Sequence, residues 1–241
     1  MLKKKNLLIL GANSALLRSF IEEISVNDNY KIFASYNKNK PNYTNIKYFR
    51  LNLNWPDSKI ISQLKKNKIK ADIIINAIGG TFGVREYNFD ILQWEKILKL
   101  NILKHININN FYLKNMIKNK FGRFIFFSSS AVEDTNAPIT YSVSKALLEN
   151  YIQKSARIFG KKNIFFNCIK TSLVIDKDNN WYKASKKNPK KVNNFVKQYI
   201  SVNKAGNSGD FKEYIKLLIS SKNKFLNGSI IKIDGATKFI N

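Results

Sequence analysis

The stretch Asn6-Leu7-Leu8-Ile9-Leu10-Gly11-Ala12-Asn13-Ser14-Ala15-Leu16-Leu17 decides how the chain is read. The apolar run from Leu7 to Leu10 stops at Gly11, which marks a buried strand over Asn6–Leu10. The period then changes: Leu16, Leu17, Phe20, Ile21 and Ile24 recur at helical spacing, so Ser14–Ile24 is predicted as a helix. A glycine turn joining a buried strand to a helix aims backbone N–H groups and a helix N-terminus at the strand's carboxyl end, an arrangement suited to a pyrophosphate. These residues alone equally describe a plain strand-to-helix turn with Ser14 near the N-cap.

Outward from this stretch the alternation repeats. Lys31–Tyr36 and Ile46–Leu51 read as strands and Asp57–Lys66 as a short helix. Ala71–Ala77 carries Ile73, Ile74 and Ile75 in a row, apolar on both faces, as in parallel sheets covered on both sides. Phe89–Lys120 is predicted as one long helix with a bend, Arg123–Phe127 as a strand and Pro138–Phe159 as a helix. Asn163–Ile169 is predicted as a strand, Phe211–Ser220 as a helix and Ser229–Ile233 as the last strand. Strands alternating with helices predict an α/β fold, a doubly wound parallel sheet of Rossmann-like type. No linker, repeat or second core interrupts the pattern, so residues 1–241 are expected to form a single domain. One segment stands apart: Lys177–Asn203 is polar, lysine-rich and without clear periodicity, a lid-like excursion.

The composition is dominated by cations, with 42 Lys plus Arg against 16 Asp plus Glu and a net charge of +26. A charge of that size points toward nucleic acid or an anionic membrane surface. The kind of cation argues against it. Only Arg18, Arg50, Arg85, Arg123 and Arg157 are arginines, so the planar fork favoured in nucleic-acid recognition is scarce. Lys, Asn and Ile are comparably abundant and share A/T-rich codons, so base composition accounts for the excess without selection for a basic surface. Cys168 is the only cysteine, which fits a reducing compartment. The basic start and the run Leu7–Leu10 make a poor signal peptide, because Gly11, Asn13, Ser14 and Arg18 follow at once. No apolar run approaches the ~20 residues of a membrane span. A cytoplasmic protein with neither membrane nor nucleic acid as partner is expected.

Two further segments carry chemistry. Tyr141 and Lys145 are four apart and share one helix face. A phenol with a pKa of about 10 is a poor base at neutral pH, and an ammonium beside it favours the phenolate. Such a pair can exchange a proton with an alcohol or carbonyl. Ser128-Ser129-Ser130 follows the Arg123–Phe127 strand, where parallel sheets bind ligands, and a serine there can hydrogen-bond a substrate oxygen.

In this order the residues resemble the short-chain dehydrogenase/reductase family over nearly the whole chain. Gly11 to Leu17 is similar to the family's TGxxxGxG turn, with Ala15 and Leu17 in place of its second and third glycines. Asn76-Ala77-Ile78-Gly79 resembles its NNAG sequence, and Trp94 followed by Asn101 its helix segment with an active-site Asn. Ser129, Tyr141 and Lys145 match its Ser–Tyr–Lys set, with Ser129 preferred to Ser128 by counting along the strand. Asn227-Gly228 and Asp234-Gly235 resemble the marks around its last strand, whereas Thr171-Ser172 replaces its Pro-Gly. The resemblance implies hydride transfer between a nicotinamide cofactor and a carbonyl or secondary alcohol. Tyr141 would be the general acid or base, Lys145 would tune it and hold the nicotinamide ribose, Ser129 would polarise the substrate oxygen, and Asn101 would anchor a water chain. The cofactor would lie against Gly11, Asn13, Ser14, Ala15, Leu16, Asn52, Asn76, Ala77 and Gly79, with Tyr141 and Lys145. The segment Ala34-Ser35-Tyr36-Asn37-Lys38 lacks a carboxylate and offers Lys38, so NADP(H) is expected ahead of NAD(H).

The basic lid suits an anionic substrate such as a 3-oxoacyl thioester on a carrier or a sugar-derived ketone, and equally reads as a solvated lysine-rich loop. A homodimer or homotetramer through the two long helices is implied by the resemblance. His105 is expected to be a packed or interface histidine with no metal cluster around it, and Cys168 an inert buried thiol. Two other readings remain open: a degenerate member of the same fold that binds dinucleotide or a protein without turnover, suggested by Leu17 and Thr171-Ser172, and a nucleic-acid-binding protein, suggested by charge alone.

Overall fold

A computed structural model describes residues 4–26, 29–84, 90–177 and 179–238. These residues form one parallel sheet of seven strands: β1 (Lys5–Leu10), β2 (Tyr30–Tyr36), β3 (Ile46–Arg50), β4 (Ile73–Asn76), β5 (Gly122–Ser129), β6 (Ile164–Thr171) and β7 (Ile230–Ile233). Their order is β3-β2-β1-β4-β5-β6-β7, so the winding reverses between β1 and β4. The doubly wound parallel sheet expected from the alternation is the observed fold.

Alternation along each strand divides the core into two layers. Leu8, Leu10, Ile74, Phe124, Phe126 and Phe166 face α2 (Asp57–Lys66), α4 (Lys104–Lys118) and α5 (Ile139–Phe159), which bury Leu64, Ile108, Met116, Leu148 and Ile152 against them. Leu7, Ile9, Ile73, Ile75, Ile125 and Phe127 face α1 (Arg18–Ser25) and α8 (Gly209–Ile219), through Phe20, Ile21, Phe211 and Ile215. Each such side chain contributes ~1.5–3 kcal/mol of burial, which is why the central strands read as unbroken apolar runs.

Two expectations are corrected and one, the bend in the long helix, is located. The helix from Ser14 to Ile24 begins as a 3₁₀ turn over Ala15–Leu17, and α1 starts only at Arg18. The long helix within Phe89–Lys120 is α3 (Ile91–Leu98) and α4 separated by a π-helical turn over Lys99–Leu103, and Phe89 lies outside the described residues. The aperiodic excursion Lys177–Asn203 is mostly two helices, α6 (Asn180–Lys187) and α7 (Pro189–Tyr199). Asn179 and Asn188 cap them through their side chains, and Pro189 occupies the first turn of α7. Trp181 packs on Phe195, and Phe195 on Tyr199, at centroid separations of 5.3 and 4.6 Å.

Leu17, in place of the third glycine, is fully buried among Phe20, Ile21 and the sheet residues Leu7 and Ile9. It is a core residue and not an obstruction in the turn. Leu17→Gly, which restores the glycine pattern, is expected to cost about 3–5 kcal/mol in urea denaturation without tightening nucleotide binding. Tighter binding at unchanged stability would overturn this account.

Candidate active site

The reversal between β1 and β4 leaves a crevice at the carboxyl ends of the sheet. Gly11 leaves β1 with φ +98°, and a Cβ there would lie 2.9 Å from Ile78 Cγ1 and 3.1 Å from the Ala77 carbonyl oxygen. Its N–H donates to Ser35 Oγ at 3.0 Å, and Ala12 N–H donates to the Ser35 carbonyl at 2.8 Å. The turn closes through Ser14 N–H to the Gly11 carbonyl at 2.9 Å and Leu17 N–H to the Ser14 carbonyl at 3.0 Å. Ser14, Ala15 and Leu16 are half-buried and Asn13 is exposed. Asn13, Ser14 and Lys38 line one cavity of about 610 Å³ with no acidic residue in its wall. That donor set, uncharged at the turn and cationic beyond it, fits the phosphates and ribose of a dinucleotide. Asn52, beyond β3, accepts Asn54 N–H on its Oδ1 at 2.9 Å, which leaves its NH₂ group as the donor it can offer.

The opposing turn, Ala77 to Gly80, is held by side chains one helical turn apart. Asn101 lies in the π-helical turn, 1% exposed, and its amide brackets Gly80. Oδ1 accepts Gly80 N–H at 2.9 Å, and Nδ2 donates to the Gly80 and Ile97 carbonyls at 3.0 Å each. His105 places Nε2 2.8 Å from the Ile78 carbonyl and Nδ1 3.0 Å from the Asn76 amide. Asn76 is buried, so its side chain braces the turn from behind. Gly79 sits where a Cβ would meet Asn101 Oδ1 at 2.9 Å and Lys145 Nζ at 3.2 Å.

The second half of the site comes from β5 and α5. Lys145 is buried, donates from Nζ to the Phe127 carbonyl at 2.8 Å, and lies 5.7 Å from the centre of the half-buried Tyr141 ring. Strand alternation separates the serines. Ser128 is buried and donates to Glu149 Oε1 at 2.5 Å. Ser129 is half-buried and accepts Ala131 N–H on Oγ at 3.2 Å, which leaves its hydroxyl proton free to donate. Behind Ser128, the buried Lys170 ammonium pairs with Glu149 at 3.0 Å and Glu133 at 3.1 Å, and Lys232 joins Glu133 at 2.8 Å. Burial alone would lower the Lys170 pKa, but its hydrogen bonds to the two carboxylates outweigh that and raise it. This cluster, which the sequence did not point to, ties β6 and β7 to α5 and to the loop that follows Ser129. Cys168 is fully buried, which pushes its thiol up to about 12. Among the described residues no group of His, Cys, Asp or Glu could hold a metal, and no helix is long and apolar enough to cross a membrane.

A doubly wound sheet with a glycine turn at its switch point and a Tyr–Lys pair beside the opposing turn defines a class, the dinucleotide-binding oxidoreductases. A family profile described as Enoyl-(Acyl carrier protein) reductase matches residues 58–237, and the chain belongs to the short-chain dehydrogenase/reductase family. It is 26% identical over 245 residues to the 3-oxoacyl-[acyl-carrier-protein] reductase FabG of Buchnera aphidicola subsp. Baizongia pistaciae, covering 96% of each chain. It is 27% identical over 151 residues to the L-rhamnose 1-dehydrogenase (NADP(+)) of Thermoplasma acidophilum, covering 62% of this chain and 58% of that one. Among solved structures, a 3-oxoacyl (acyl-carrier-protein) reductase from Agrobacterium tumefaciens C58 with NADP bound superposes with a TM-score of 0.84 at 17% identity, covering 97% of this chain and 94% of that one. A 4-hydroxyisoleucine dehydrogenase complexed with NADH gives 0.79 at 23% identity, covering 96% and 97%.

Burial, with the nearby Lys145 charge, lowers the His105 pKa from 6.5 to about 4. The unfolded chain therefore takes up this proton before the folded one does. Stability is complete above pH 6.5 and declines as pH falls toward 4. The loss across that window is about 3 kcal/mol. His105→Gln is expected to flatten the decline in denaturation free energy between those pH values, and an unchanged slope would exclude His105 as its source.

Proposed function

We propose that the chain is an NADP(H)-dependent oxidoreductase that interconverts a carbonyl and a secondary alcohol, with a carrier-bound 3-oxoacyl thioester as the favoured substrate. The observation that carries the reading is the place of Lys145, which bonds the Phe127 carbonyl two residues before Ser129, lies 5.7 Å from the Tyr141 ring centre and stands against the Gly79 turn. The cofactor, when bound, supplies or accepts the hydride. Tyr141 donates its phenolic proton to the substrate oxygen in reduction and takes it back in oxidation. Ser129 donates a second hydrogen bond to that oxygen and holds it where negative charge develops. The Lys145 ammonium lies 5.7 Å from the Tyr141 ring centre and reaches the edge of the Gly79 turn, where it can hold the nicotinamide ribose. Asn101, locked on Gly80, fixes that turn against it.

Three observations support the finer points. Lys38 stands in the Asn13–Ser14 cavity with no carboxylate lining it, which suits a 2′-phosphate better than a free ribose. Curated relatives carry the name 3-oxoacyl-[acyl-carrier-protein] reductase. The helices α6 and α7 enclose a cavity of about 670 Å³ lined by Trp181, Val192 and Phe195 and by Lys187 and Lys191, a mixed wall that suits an apolar chain with an anionic carrier. A second copy of the chain is the expected partner. Ile139, Val143 and Leu147 form an exposed apolar stripe on α5, on the face turned away from Lys145.

Tyr141→Phe is expected to lower kcat for NADPH-dependent reduction of a 3-oxoacyl thioester by about 10²–10⁴-fold while leaving the NADPH Kd within threefold. Binding without any Tyr141-dependent turnover would instead favour a non-catalytic dinucleotide-binding protein. Leu147→Glu is expected to reduce the mass measured by light scattering to that of the monomer, and an unchanged mass would place the interface elsewhere.

A further inference from the structure

We infer that Lys183, carried by the lid helix α6, is a ligand for the 2′-phosphate of the nucleotide and sets the preference for the phosphorylated cofactor together with Lys38. The inference rests on the NADP(H) reading above. The cavity beside the Gly11 turn draws its wall from separate parts of the chain: Asn13 and Ser14 from the turn, Arg18 from α1, Lys38 from the loop after β2, and Lys183 from α6. Of its cations, Arg18 is already committed. Its Nε pairs with Asp176 Oδ1 at 2.6 Å, and its NH2 group donates to the Lys177 carbonyl at 2.6 Å. Lys38 and Lys183 have no hydrogen-bond or ion-pair partner for their ammonium groups among the described residues. Two uncommitted ammoniums in a concave wall without a carboxylate match a phosphomonoester, which carries about −1.5 to −2 charges at neutral pH.

The lid is fixed in place for this task. Asp176 receives Arg18 on one oxygen and the Ser208 N–H on the other, at 3.0 Å, and Ser208 Oγ meets Ser19 Oγ at 2.6 Å. The residues just before and just after the excursion are therefore clamped to the start of α1, beside the nucleotide turn. Burial raises the Asp176 pKa, but the hydrogen bonds from Ser208 and Arg18 together hold it below its ordinary value, so the clamp stays charged at neutral pH. An unphosphorylated ribose would offer these ammoniums a neutral hydroxyl and find no carboxylate to accept its proton.

Dissociation constants for NADPH and NADH, measured by fluorescence titration, test the inference on the wild type, Lys183→Gln and Lys161→Gln. The last removes the same charge from an exposed turn at the amino end of β6. Lys183→Gln is expected to weaken NADPH about tenfold and NADH less than twofold, with Lys161→Gln leaving both unchanged. NADPH, and not NADH, is expected to slow tryptic cleavage within the lid of the wild type, and the protection is expected to vanish in Lys183→Gln. Equal weakening of both cofactors, no weakening, or the same effect in Lys161→Gln would overturn the role of Lys183 alone. A wild type that binds NADPH no more tightly than NADH would overturn the NADP(H) reading beneath it.

Discussion

Two turns must pass within van der Waals contact where the sheet reverses its winding, and Gly11 is the residue that lets them. Its positive φ and the 2.9 Å to which a Cβ would approach Ile78 leave no room for any other residue. A parallel sheet places all its strand ends on one edge, but only neighbours that wind in opposite senses leave a crevice between their connections. The turn from β1 and the turn from β4 form its two lips. The first is satisfied by Ser35 on the neighbouring strand, and the second by Asn101 and His105 from the helix that follows it. The loss of the other glycines is absorbed on the first lip, where a 3₁₀ turn drives Leu17 into the core before α1 begins.

The π-helical turn gives the second lip its geometry. The extra residue in that turn interrupts the α-helical ladder, and Asn101 within it reaches the Gly80 peptide, while His105 one turn later reaches Ile78 and Asn76. Gly79 is then confined between Asn101 and Lys145, so the amide that shapes the turn and the Lys145 ammonium are fixed against one another. On the far side, the Lys170–Glu149–Glu133 cluster holds the buried Ser128 hydroxyl through Glu149, while Ser129 stays half-buried. A buried ammonium costs desolvation, and two carboxylates with good geometry offset it. Its consequence is positional, because it joins the ends of β5 and β6 through α5.

Most of the sheet was legible because buried parallel strands write themselves as apolar runs, and Leu7–Leu10, Ile73–Ile75 and Phe124–Phe127 do so without interruption. Spacing and order placed Tyr141 and Lys145 on one helix face, and the structure has them with the ring centre and ammonium 5.7 Å apart. The lid helices were not legible, because lysines and asparagines fill most positions between Trp181, Val192, Phe195 and Val196 and blur their period. The readable signals were the caps, Asn179 and the pair Asn188-Pro189. His105 was legible only as a lone histidine, since its partners Asn76 and Ile78 lie 29 and 27 residues upstream. The Arg18–Asp176 clamp spans 158 residues, and no local pattern announces a contact of that range.

The same reasoning sorts the charge. A net +26 says little about function while it is averaged over the chain, because an ammonium in water or paired with a carboxylate is electrostatically quiet. Lys104 is spent on Asp57 and the Trp55 carbonyl, Lys170 on Glu149 and Glu133, and Lys212 and Lys216 on Glu23. With so few carboxylates in the chain, each one committed to such a pair is one withheld from the concave surfaces. Where ammoniums line a concavity whose acidic residues are absent, as around Lys38 and Lys183, their fields add and water screens them less than on a convex face. The basic composition therefore acts locally, where carboxylates are missing, and the cavity beside the Gly11 turn is such a place.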